Sequence, residues 1–235
     1  MPKRIVLALA SLMLALGLAD AASAGQAAPL PIGPATTAQA EPEGEVVVLP
    51  SRIAVAMRRT ENSLAKAEEH IDEAEYAKAI ISLRAVRKNL TRAGKAAQHQ
   101  MTAVPADPEA ETTPGPDAVV AVLSLHQEVV VGVAGLFNGQ TGTLVGAIAT
   151  TLTTAQTTRD KLLDAVIALD PEGDGAPYAD VMADTLDGYA DEVANLTEAL
   201  ADDVLSTGSK GALTSGLARS KATQTKIETA FGGGE

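Results

Sequence analysis

Residues 51–101 read SRIAVAMRRTENSLAKAEEHIDEAEYAKAIISLRAVRKNLTRAGKAAQHQM, and their spacing decides the fold. Ile53, Met57, Thr60, Leu64, Ala67 and Ile71 recur at alternating steps of four and three residues, with Arg, Glu and Lys between them. Residues so spaced share one face of an α-helix. After a break near residues 72–75, Tyr76, Ile80, Leu83, Val86, Leu90, Ala93 and Ala97 repeat the pattern. Two helices joined by so short a turn must lie antiparallel.

The helical period continues toward the C-terminus. Residues 102–116 hold Pro105, Pro108, Pro114 and Pro116 among acids and threonines, which predicts a linker. Asp117 is a good N-cap for a helix running to about Phe137, apolar nearly all round. Its length and composition alone would allow a membrane span. Glu128 at mid-span makes that costly, so it is read as the central buried helix of a bundle. Residues 138–142, NGQTG, break the chain before a helix from about Thr143 to Leu169, whose threonine-rich middle (Thr150 to Thr158) needs tertiary support or a kink. From Tyr178 to about Leu205, Met182, Leu186, Tyr189, Val193, Leu196 and Leu200 form a seam suited to knobs-into-holes packing. A last, Thr/Ser-rich helix carries Leu213, Leu217, Ile227 and Phe231 and should be the least stable. The prediction is an all-α bundle of about six helices: a hairpin at 51–101, a linker at 102–116, a four-helix unit at 117–231 and a Gly-rich tail at 232–235. The string AEYAKA at residues 74–79 resembles the start of the second helix of a tetratricopeptide repeat, but no second copy follows at the repeat period.

The N-terminus carries a different signal. Lys3 and Arg4 precede an uncharged apolar run from Ile5 to Leu18, and Ala22-Ser23-Ala24 supplies the small residues a signal peptidase accepts. Residues 1–24 therefore read as a signal peptide, and 25–50, rich in Ala, Pro and Gly, as a flexible spacer. The expected destination is the cell envelope or extracellular space, soluble after cleavage.

Composition narrows the chemistry. Hydrophobic residues make up 46% and aromatics 2%, so the core must be built from Ala, Val, Leu and Ile. The absence of cysteine removes disulfides, a thiolate nucleophile, a Cys-ligated zinc site and a haem-attachment motif. Formal net charge is −12, one unit more negative without Lys3, Arg4 and Asp20, which argues against nucleic acid as a partner. The charge is bipolar: residues 51–101 are net basic and 102–235 strongly acidic.

Two stripes stand out. Between Tyr76 and Met101 there are six Lys/Arg and no acid, and Arg84, Lys88, Arg92 and Lys95 fall within one sector beside the apolar face. Such a basic amphipathic helix suits an anionic envelope polymer, a membrane surface or an acidic protein. Asp180, Asp184, Asp187, Asp191, Glu198 and Asp202 form the opposite stripe. It could accept the basic helix internally, hold loose divalent cations, or simply face solvent. The loop at Asp170, Glu172, Asp174 and Gly175 begins like a calcium loop but has Val181 where a bidentate Glu is required, so it is read as a helix-connecting turn.

Catalytic constellations are missing from the pattern. His70, His99 and His126 have no Glu three residues before them, as a di-iron bundle needs. Ser124, His126 and Glu128 are two apart on a helix and point away from one another. No nucleophile elbow, phosphate loop or metalloprotease motif occurs. The sequon matches at Asn89 and Asn195 fall inside helices and are taken as chance. The sequence therefore predicts an exported, non-catalytic protein with a structural or interaction role and no cofactor. One alternative is a carrier holding an apolar ligand or cation where the threonine-rich helix, Gly132 and Gly135 leave a gap. Another is self-association through the Met182–Leu200 seam.

Overall fold

The computed structural model describes residues 49–101, 114–169, 176–183 and 185–231, and every element among them is a helix. In chain order they are α1 (Ser51–Asp72), α2 (Tyr76–Met101), α3 (Pro114–Gly135), α4 (Gly142–Ile167), α5 (Ala176–Ala183), α6 (Leu186–Leu200) and α7 (Thr207–Phe231). The all-α bundle is as expected. The signal peptide at 1–24, the spacer up to residue 48, the calcium-like stretch at 170–175 and the tail at 232–235 lie outside the described residues.

The hairpin forms as its period predicts. Ile53, Ala56, Thr60 and Ala67 of α1 and Ala79, Leu83, Val86, Leu90, Ala93 and Ala97 of α2 are buried. A Schellman motif turns the chain between them: the Glu75 N–H bonds the His70 carbonyl at 2.7 Å and the Ala74 N–H bonds that of Ile71 at 3.0 Å. Ala74 takes φ 58°, the left-handed conformation usually left to glycine.

The hairpin and the later helices share one core. A single apolar cluster extends from Ile53 to Ile227, within the compact unit formed by residues 49–235. At its centre is α3, packed on α1, α2, α4, α5 and α6. It begins at Pro114 rather than Asp117. Proline is well placed there, because a first-turn N–H has no helical partner to lose. Each fully buried Leu or Val along this helix, such as Leu123 or Val130, contributes about 1.5–3 kcal/mol by leaving water.

The threonine-rich α4 stays helical throughout. Thr150, Thr151 and Thr154 donate their hydroxyls to carbonyls one turn back at 2.7–2.8 Å, and Arg219 of α7 bonds the Thr157 hydroxyl at 2.5 Å. α4 also approaches α2 closely. A Cβ on Gly94 would lie 2.7 Å from the Thr158 methyl, and that β-branched side chain is stiff in a helix. Gly94→Leu is therefore expected to force α2 and α4 apart and destabilise the protein by about 1–3 kcal/mol, seen as a lower melting temperature by circular dichroism. An unchanged or raised melting temperature would contradict the close crossing.

The helix expected over 178–205 is cut in two. Both the N–H (3.2 Å) and the hydroxyl (2.8 Å) of Thr185 bond the Met182 carbonyl, drawing the chain into a tight turn. The cut fits Gln127 of α3 against the start of α6: its amide nitrogen is 3.5 Å from the Thr185 carbonyl, and its Oε1 lies 2.7 Å from where a Cβ on Gly188 would be. Met182, Tyr189 and Leu196 of the predicted seam are buried inside the bundle.

Candidate functional site: a basic cleft and a buried polar junction

Antiparallel pairing of α1 and α2 brings cations from both helices together. Arg52 and Arg59, two turns apart on α1, join Arg92, Lys95 and His99 of α2 around a cleft of about 570 Å³. The small side chains of Ala56 and Ala96 leave it room, and no Asp or Glu lines it. Arg52, Arg59, Arg92 and Lys95 are exposed, and none is within 4 Å of a carboxylate among the described residues. Converging like charges with no counter-charge raise the local positive potential, which an anion entering the cleft would relieve.

Of the four stripe residues expected from sequence, the structure gathers Arg92 and Lys95 into this cleft, while Arg84 and Lys88 stand exposed farther along α2. The basic stripe is not spent on the acidic one. α2 packs on α1, α3 and α4, whereas α6 packs on α3 and α7, and Asp187, Asp191 and Glu198 face solvent. Asp184 and the side chain of Asp180 lie outside the described residues. Arg52 and Arg59 went unnoticed in the sequence because their importance appears only once the hairpin is closed, although their spacing of seven already put them on one face.

A second cleft, about 520 Å³, opens between Thr91 of α2 and the threonine face of α4, with Lys161 at one end. This is near where the carrier alternative looked for a gap. Its lining mixes threonine hydroxyls and methyls with Ala149 and Lys161. Of the two glycines also suggested, Gly132 is closed by Leu64, whose Cδ2 lies 2.9 Å from a Cβ placed there, while Gly135 is exposed with nothing within 4 Å of such a Cβ.

The core holds a polar junction that sequence reasoning missed. Arg159 of α4, fully buried, directs Nη1 at both carboxylate oxygens of the equally buried Glu192 of α6, at 2.5 and 2.6 Å. Its Nη2 donates to the Thr223 hydroxyl of α7 at 2.9 Å and to Asp160 at 3.2 Å. The guanidinium stacks 5.2 Å above the Tyr189 ring. Ser220 of α7 donates to Glu192, and Gln156 donates to Ser220 at 2.9 Å and to the Gly216 carbonyl at 2.8 Å. Burial opposes the charge on Arg159, but Glu192, Tyr189 and Asp160 together outweigh it and hold the guanidinium's proton above its ordinary affinity. Burial likewise pushes the Tyr189 phenol up.

His126 of α3 is buried too. Its Nδ1 lies 2.6 Å from the Val122 carbonyl, which makes that nitrogen the N–H donor. Burial, helped by the positive field of Arg159, lowers its pKa to about 4. Its Nε2 and the Tyr189 hydroxyl are buried without a hydrogen-bond partner. Glu128, two residues on, is exposed, so His126 and Glu128 do not converge. The junction ties three helices together, while the cleft offers charge to the outside. No protein-family model, curated protein or solved structure matches this chain.

Proposed function

We propose that this chain is an exported, non-catalytic helical protein that binds an anionic polymer of the cell envelope through the cleft between α1 and α2. The observation that carries this reading is the cleft itself: Arg52, Arg59, Arg92 and Lys95 converge with no acid in the lining. The leader-like N-terminus supports export. The strongly acidic stretch from residue 102 to residue 205 supports selectivity, since it repels polyanions.

Dextran sulfate serves as the test polymer, with neutral dextran as the control. The protein is expected to co-sediment with the sulfated polymer at low salt and to be released at high salt, because exposed charges are screened as the Debye length falls from about 10 Å at 0.1 M to about 3 Å at 1 M. Replacing Arg52, Arg59, Arg92 and Lys95 together by Gln should abolish binding. Replacing Arg84 and Lys88 should leave most of it. Binding that ignores salt, or that survives loss of the four cleft cations, would overturn the proposal. Preference for anionic vesicles over the polymer would replace it with a membrane-surface role.

A further inference from the structure

At the other end of the hairpin, the turn between α1 and α2 gathers three metal-ligating side chains. One ligand atom each from His70, Glu73 and Glu75 lie within 4.8 Å of one another. His70 Nδ1 is 3.1 Å from Glu75 Oε2, yet out of line for a hydrogen bond. That nitrogen is shut off from water and makes no well-aligned hydrogen bond, so an imidazole donor faces a carboxylate oxygen at close range with a second carboxylate beside it.

The sequence hides this grouping. On a straight helix His70 would neighbour Glu73 but not Glu75. The Schellman turn, with Ala74 at φ 58°, reverses the chain so that Glu75 comes back over His70. Lys78 holds the other oxygen of Glu75, Oε1, at 2.7 Å, which leaves Oε2 turned toward the imidazole.

We infer that His70, Glu73 and Glu75 form a binding site for one divalent transition ion of the Zn²⁺ type, with a remaining coordination position open. Zinc takes nitrogen and carboxylate oxygen at about 2.0–2.2 Å, which sets tetrahedral ligand atoms about 3.4 Å apart. The His70–Glu75 pair already stands at nearly that separation, and only the exposed Glu73 side chain must swing inward. A site containing an imidazole favours Zn²⁺ over Ca²⁺ or Mg²⁺, which prefer all-oxygen shells. The inference does not depend on the cleft, which lies at the opposite end of the two helices.

The test is isothermal titration of the untagged full chain with Zn²⁺ at pH 7.5, followed by Co²⁺ absorption spectroscopy. One site per chain is expected, together with the visible bands of tetrahedral Co²⁺ and a higher melting temperature on Zn²⁺ addition. His70→Ala and Glu75→Gln should each weaken Zn²⁺ binding by at least about tenfold, and His99→Asn should leave it unchanged. Should His70→Ala fail to fold, nuclear magnetic resonance of the native imidazoles decides: a Zn²⁺-induced shift at His70 supports the site, and a shift at His99 alone, or none, overturns it. Absence of a stoichiometric site, binding that survives loss of His70, or equal binding of Ca²⁺ would each overturn it as well.

Discussion

Arg159→Met is expected to destabilise the protein by about 3–5 kcal/mol, because it strands a buried carboxylate without its counter-charge. Glu192 is fully buried, and after the substitution only the Ser220 hydroxyl would still bond it. The side-chain volume is nearly kept, so loss of packing is a minor part of the effect. A domain of this size has a net stability of roughly 5–15 kcal/mol, and the single substitution would therefore remove a large share of it. The double variant Arg159→Met, Glu192→Met should recover most of the loss, since replacing both partners of a buried pair by apolar groups is often close to neutral. Urea unfolding followed by circular dichroism measures both, and the non-additivity of the cycle is the decisive number. If the double variant is as unstable as the sum of the two singles, the pair is not the coupled unit that its 2.5 and 2.6 Å contacts describe.

The second large effect is expected from pH. His126 is held neutral, with a pKa near 4 in the folded protein against 6.5 for a free imidazole. The unfolded chain therefore takes up the proton first as pH falls. Stability from this group is complete above about pH 6.5 and is lost progressively as pH drops through 4. The shift corresponds to roughly 3 kcal/mol at 1.36 kcal/mol per unit. Carboxylates titrate over part of the same range, so the quantity to measure is the stability of the natural protein minus that of His126→Leu at each pH. That difference should shrink by roughly 3 kcal/mol between pH 7 and pH 4. A flat difference would mean that His126 is not the buried neutral donor to Val122.

The helices were legible because their apolar residues keep the 3.6-residue period, from Ile53 through Ile71 and again from Tyr76 through Ala97. The cut at Thr185 was not, because the apolar spacing runs unbroken across it. At the cut Thr185 turns back on Met182, and Gln127, 58 positions away in the chain, packs against the start of α6. The buried junction left a signal that hydrophobic patterning passes over. Arg159 follows Leu152 and Ala155 and precedes Leu162 on one stripe of α4. Glu192 falls three residues after Tyr189 and four before Leu196 on α6, and Ser220 and Thr223 continue the Leu213–Gly216 spacing toward Ile227 on α7. Each helix thus places polar groups at core positions, and three such interruptions could only be satisfied by one another. The basic cleft was half visible, in Arg92 and Lys95. Its other half needed the hairpin closed, as did the meeting of His70 with Glu75.

The Arg159 junction also constrains the order in which the molecule can be completed. Its carboxylate partner lies 33 residues farther along the chain and its Thr223 partner 64 residues farther. During synthesis from the N-terminus, α4 is finished while its guanidinium has only the neighbouring Asp160 carboxylate, and drying it at that stage leaves Nη1 without an acceptor, which is unfavourable. The junction gains its buried counter-charge only with α6 and its last hydroxyl partners only with α7. A chain ending before residue 220 lacks both the Ser220 and the Thr223 hydroxyls of the junction.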